Sequence, residues 1–262
     1  LPLLNEQQKI AEILSTIDKA IQKTNEIIAK TERLKKGLMQ ELLTKGIGHD
    51  EFKDTEIGRI PKEWEVVRLR DACVLITDGS HFSPKRQEEG YPLATVANML
   101  EDYIDIDSCY RISKEDYENL VKSGDKPEIN DVLFSKDGTI GLCVVFAQKV
   151  NLVVLSSIAI LRPNMKKVNP YFLKYILQSP SVLNRITSSK IGTAIKRIIL
   201  KDLCRVKMPL PTKLEEQQGI ASILSTVDKK LELERKRKEK LERIKKALMN
   251  DLLTGRKRVK IA

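Results

Sequence analysis

Apolar residues recur at steps of three, four or seven along two long stretches of the chain. In the first they fall at Ile10, Ile13, Leu14, Ile17, Ile21, Ile28, Leu34, Leu38 and Leu42. In the second they fall at Ile220, Ile223, Leu224, Val227, Leu231, Leu241, Ile244, Leu248 and Leu252. This is the spacing of one helix face. No proline interrupts either stretch. Pro2, Pro209 and Pro211 come before, and Gly46 and Gly255 come after, where a helix stops. At 1.5 Å per residue each helix is a rod of ~60 Å, too long for one small core.

The two stretches are copies. Glu6-Gln7-Gln8-Lys9-Ile10-Ala11 returns as Glu216-Gln217-Gln218-Gly219-Ile220-Ala221, and Leu42-Leu43-Thr44 returns as Leu252-Leu253-Thr254. The offset of 210 holds without a gap, and 21 of the 39 paired positions from Glu6 to Thr44 are identical. That is duplication, because chance gives about two. A rod with one apolar stripe must find a partner. The intervening segment can bring the second copy back antiparallel to the first. The expected coiled-coil interface is Ile13, Leu14 and Ile17 against Ile223, Leu224 and Val227. The nearly all-charged run 232–240 interrupts the second stripe.

Between the copies the pattern changes. Short apolar runs read as strands at Val66–Leu69, Leu93–Ala97, Val132–Phe134, Cys143–Phe146 and Val153–Leu161. Asn169–Gln178 and Ser181–Ser188 read as helices, and Gly138-Thr139-Ile140-Gly141 as a turn between strands. Residues 46–57 read as a polar joint. The expected fold is α+β: a mixed α/β domain plus two long helices forming an antiparallel coiled coil. The expected boundaries are 1–46 for the first long helix, 47–211 for the domain, and 212–262 for the second helix with a basic tail.

Charge adds a partner class. The net charge is +11, and residues 132–211 hold 13 basic residues against only Asp137 and Asp202. A polyanion, most simply nucleic acid, suits such a stretch; a solvated face turned to the acidic segment before it is the plainer alternative. The four cysteines, Cys73, Cys109, Cys143 and Cys204, match neither zinc nor redox spacing. Reduced thiols, no signal pattern and no apolar run of membrane length together predict a cytoplasmic protein. The first residue is Leu1, so the sequence reads as a fragment or a processed chain.

Catalytic motifs are missing. Asn169-Pro170-Tyr171 is the closest approach to an amino-methyltransferase motif, and it lacks the second proline. No glycine precedes a lysine, which excludes a phosphate-binding loop. The histidines, His49 and His81, stand outside any metal cluster. No catalytic residue, cofactor or metal is expected.

The duplicated helix, entered through Pro209-Leu210-Pro211 and Glu216-Gln217-Gln218 and left through Leu252-Leu253-Thr254-Gly255, resembles the conserved region of Type I restriction–modification specificity subunits. The middle resembles their target recognition domain, on four pieces. These are Ile57-Gly58-Arg59-Ile60-Pro61 with Trp64-Glu65; Asp78-Gly79-Ser80-His81; Asn130-Asp131-Val132-Leu133-Phe134-Ser135 with Gly138-Thr139-Ile140-Gly141; and Asn169-Pro170-Tyr171-Phe172-Leu173 with Ile176-Leu177-Gln178-Ser179. The likeness covers essentially the whole chain, but with one recognition domain where such subunits usually have two. It implies a non-catalytic subunit that recognises double-stranded DNA sequence-specifically, while partners methylate adenine and cleave. The implied partners are methyltransferase (modification) subunits, a restriction/translocase subunit, and a second recognition domain or second copy of the chain. The alternative is a coiled-coil interaction protein whose middle domain binds RNA or protein.

A DNA-recognition domain needs loops that reach base edges and cations that hold phosphates. Three stretches offer both. The first carries Ser80, His81, Lys85 and Arg86; the second Lys136 and Thr139; the third Ser189, Lys190, Thr193, Lys196 and Arg197.

Overall fold

The computed structural model describes residues 2–188 and 197–259. Helix α1 (Leu4–Lys45) leads into a hairpin of β1 (Phe52–Thr55) and β2 (Gly58–Pro61). Then come β3 (Glu65–Arg68), α2 (Leu69–Ala72), β4 (Cys73–Asp78), β5 (Tyr91–Ala94), β6 (Tyr110–Ile112) and α3 (Lys114–Lys122). The chain continues through β7 (Val132–Ser135), β8 (Cys143–Val145), β9 (Val153–Val154) and β10 (Ile158–Pro163). It ends with α4 (Pro170–Gln178), α5 (Pro180–Ser188), α6 (Leu200–Arg205), β11 (Lys207–Leu210) and α7 (Leu214–Leu253). Two compact units result: Leu1–Leu38 with Ile223–Ala262, and Met39–Ser222.

In the first unit α1 and α7 pack antiparallel. Asp18 meets Lys245 at 2.5 Å, Glu32 meets Arg235 at 3.0 Å, and Lys35 meets Asp228 at 2.5 Å. Partner numbers on α7 fall as those on α1 rise. Under the 210-residue offset Asp18 corresponds to Asp228, and Lys35 to Lys245. One ion pair therefore occurs twice, related by a local two-fold. Glu6 is buried, and the Arg258 guanidinium grips it through Nε at 2.7 Å and Nη2 at 2.6 Å, holding its carboxyl below the ordinary carboxylate range.

The stripe departs from the simple pattern near its middle. Leu34 is exposed, while Thr24 and Thr31 are buried. The register sets these threonines opposite the charged run 232–240. Each satisfies its hydroxyl by bonding back, to the Ala20 and Ile27 carbonyls. Leu224 is buried, Ile13, Leu14, Ile17 and Val227 are half-buried, and Ile223 is 39% exposed.

The second unit is built on an antiparallel sheet in the order β4-β10-β7-β8. Ile158, Ala159, Ile160 and Leu161 of β10 are all fully buried. A continuous apolar run fits a strand covered on both faces. Leu133, Val144, Ile158 and Ile160 join a core with Met99, Ile104, Phe146 and Leu152, while α4 packs on β7 and β8. A second sheet, β6-β5-β9, carries a smaller core of Leu93, Ile112 and Val153 under Tyr117 and Leu120 of α3. Strand β3 pairs with β11, tying the domain's beginning to its end.

The expected strand over 153–161 is two strands in different sheets. The chain turns at 155–157, where Leu155 N–H donates to Ala94 and Ser156 N–H to Ser80. The expected joint over 46–57 contains β1. Helix α4 starts as the sequence indicates: Asn169 Oδ1 accepts from the Tyr171 and Phe172 amides, and Pro170 opens the first turn. The repeated Glu-Gln-Gln is seated in its second copy. Glu216 accepts from Trp64 Nε1 at 3.1 Å and lies 2.8 Å from His49 Nε2. Gln217, fully buried, donates to the Lys167 and Pro211 carbonyls and accepts from Asn169 N–H.

Candidate nucleic-acid interface

Strand β4 ends at Asp78, β7 ends at Ser135, and β10 begins at Ile158, all at one end of the four-stranded sheet. The first two predicted DNA-reading stretches meet there with Arg197, the one described candidate of the third. Gly79 N–H donates to the Ile158 carbonyl and Ser80 N–H to that of Val154, while Lys136 N–H donates to Ser157. Ile198 N–H in turn donates to the Lys136 carbonyl, and Asp137 bridges to Arg197. Gly79 is fixed by close approach: a Cβ there would lie 2.1 Å from the Val154 carbonyl oxygen.

Beyond Gly79 the loop is held locally. Ser80 Oγ donates to the Phe82 carbonyl at 2.9 Å and accepts from its N–H at 3.0 Å. Pro84 is buried, while His81, Phe82, Ser83, Lys85 and Arg86 are exposed. The Arg86 guanidinium lies over the Tyr110 ring, 4.5 Å from its centroid. Ser135 Oγ ties the next turn by donating to the Thr139 carbonyl and accepting from Leu142 N–H. Thr139 itself is exposed. Arg197 is exposed, its Nε 3.2 Å from Asp137.

Lys136 has a different part from the one expected. It is only 3% exposed, and its ammonium is 2.9 Å from the Asp78 carboxylate. Burial in an ion pair leaves it no reach to a phosphate, so it braces the Asp78 loop. Ser80 is likewise buried and occupied by its turn. The expected contacts Ser189, Lys190, Thr193 and Lys196 lie outside the described residues. Sequence reasoning passed over Phe82, 65% exposed on this loop, and Asp125, buried behind it. Nothing in the residue pattern near Asp125 marked it; only the folding of α3 against β9 brings it to the Asp78 loop.

Among the described residues no group of three or more His, Cys, Asp or Glu could hold a metal ion. No described helix is long and apolar enough to cross a membrane. All four cysteines are free. Burial pushes the Cys73 thiol up to about 12, with Cys204 and Asp131 adding to the shift, and pushes Cys109 up to about 11. These thiols are poor nucleophiles.

Residues 61–243 match the family model for the Type I restriction modification DNA specificity domain. The chain belongs to this family. It is 35% identical to the Type I restriction enzyme MjaVIII specificity subunit of Methanocaldococcus jannaschii, over 99% of this chain and 62% of that one. It is 27% identical to the EcoBI specificity subunit of Escherichia coli, over 84% of this chain and 49% of that one. Among solved structures, the Type I S subunit of M. genitalium superposes with a TM-score of 0.61 at 16% identity, covering 99% of this chain and 62% of that one. A chain from a type I restriction–modification system, solved in work on complex assembly and conformational transition, gives 0.61 at 22% identity, with coverage of 96% and 60%. The family's specificity domain thus takes in the candidate interface and most of α7. The chain spans about three fifths of the MjaVIII subunit's length.

Proposed function

We propose that the chain recognises double-stranded DNA as part of a Type I restriction–modification specificity subunit. It would direct adenine methylation and cleavage performed by methyltransferase and restriction/translocase partners. The observation that carries this reading is the convergence of the 80–86 loop, the 136–139 turn and Arg197 at one end of the sheet. Lys85, Arg86 and Arg197 stand exposed there to hold phosphates, and His81 and Thr139 to approach bases. Family membership supplies the class, and the basic stretch 132–211 supplies the attraction.

Binding of the chain to its duplex site should weaken steeply with salt. Lys85→Ala and Arg197→Ala should each lower affinity and reduce the salt slope by about one per lost phosphate contact. Fluorescence anisotropy across a salt series measures both. Binding indifferent to salt and to duplex sequence would overturn the reading. The chain alone is expected to transfer no methyl group from S-adenosylmethionine to DNA.

A further inference from the structure

A cavity of about 520 Å³ opens beside the 80–86 loop, between that loop and the C-terminal end of α3. Its polar lining includes Asp78, Ser80, Asn119, Ser123 and Asp125. Most of these groups are already committed. Asp78 is paired with Lys136, and Ser80 Oγ is used by Phe82. Asp116, also in the lining, accepts the Ser113 hydroxyl. Asp125 is the exception. It is 6% exposed, and its backbone N–H and carbonyl are both bonded, to Leu120 and Val154. Its carboxylate has neither a hydrogen bond nor an ion pair among the described residues. Its oxygens face the cavity, where a ligand with N–H donors can meet them.

Three observations narrow the ligand. The lining carboxylates disfavour a phosphate and favour a group with N–H donors. The acceptor is only 6% exposed, which disfavours contact with the edge of a base still stacked in a duplex. And Phe82 stands at the rim, 65% exposed, its backbone clamped on both sides by Ser80. Of the other four phenylalanines, Phe134, Phe146 and Phe172 are buried and Phe52 is half-buried. An exposed aromatic on a braced backbone at the mouth of a polar pocket can fill the gap an extruded base leaves in the stack.

We propose that this cavity receives one base extruded from the bound duplex, with Asp125 accepting the exocyclic amino group of a cytosine or adenine and Phe82 wedging the vacated step. The inference rests on the DNA reading above. Desolvation and the neighbouring Asp78 carboxylate push the Asp125 carboxyl up to about 6, with His81 opposing; a donated N–H would relieve that burden.

The test uses the full chain and duplexes carrying its site, with a mismatch placed opposite each base in turn. Extrusion is easier from a mismatch. The wild-type chain should therefore bind one mismatched duplex roughly tenfold more tightly than the paired one, and only where the freed base is cytosine or adenine. A 2-aminopurine beside that position should brighten on binding. Asp125→Ala and Phe82→Ala should each abolish the gain and the brightening, while keeping the salt slope. A mismatch gain retained in Asp125→Ala, or no gain at any position in a wild-type chain that binds with normal salt dependence, overturns the extruded base alone. Absence of salt-dependent binding by the wild type overturns the DNA reading and this inference with it.

Discussion

Asp125 links the cavity to stability. An unfolded aspartate titrates near about 3.9. In the folded chain burial, and then Asp78, raise Asp125 to about 6, with His81 opposing and Asp116 also lining the cavity. Between those values the folded state holds more protons than the unfolded one, so this group's contribution to stability increases as pH falls from about 6 to about 4. Asp125→Asn should therefore raise the melting temperature at pH 8, with the gap shrinking towards pH 4. Thermal melts of both proteins across that range show it, and a gap that widens on acidification would contradict it. Gly79 gives the opposite expectation. Gly79→Ala drives a methyl against the Val154 carbonyl and should cost about 3 kcal/mol, measured by urea unfolding. The sequence exposed Gly79 as part of a motif. It gave no hint of Asp125, whose significance depends on residues more than 40 positions away in the chain.

At the level of elements, the repeated ion pair offers an internal control. Asp228 and Asp18 occupy equivalent positions and meet equivalent lysines, yet the Asp228 side chain is 5% exposed and that of Asp18 is 53%. Breaking the buried copy leaves a charge without its partner in low dielectric, and breaking the exposed one costs little. Asp228→Ala should lose about 3 kcal/mol and Asp18→Ala less than about 1 kcal/mol in denaturant titrations. Equal losses would mean that burial does not control the pair. The helices were legible because period and duplication reinforced each other over some 40 residues. Leu34 was misplaced because a stripe read from residue types cannot see that Thr24 and Thr31 turn inward with satisfied hydroxyls. Helix α3 escaped notice for a related reason: only Tyr117 and Leu120 of its nine residues are buried, too few for a period. Strands β9 and β10 looked like one because β9 and the first four residues of β10 are apolar, and the turn between them is set by distant carbonyls.

For the molecule as a whole, the resemblance to specificity subunits implies a spacing role for the duplicated helices. We propose that in the assembled subunit the rod fixes the distance between two DNA half-sites. Deleting seven residues from both helices in phase, which removes ~10 Å of each, should change the preferred gap between half-sites and leave each half-site sequence as it was. Selection of binding sites from randomised duplexes reports both quantities, and an unchanged gap would count against the proposal. The interface itself holds a further implication. The 79–80 segment, residue 136 and Ile198 hang from one another and from the 154–158 turn through main-chain hydrogen bonds. Main-chain anchoring is indifferent to side-chain identity. The side chains that hold these loops are the buried Ser80, Ser135 and the Lys136–Asp78 pair, with Gly79 giving room, and the side chains of the exposed positions 81–83, 85 and 139 contribute little to that framework. They can be rewritten one at a time without refolding the domain, which, on the proposed DNA reading, makes this end of the sheet a template on which new sequence preferences can evolve at little structural cost.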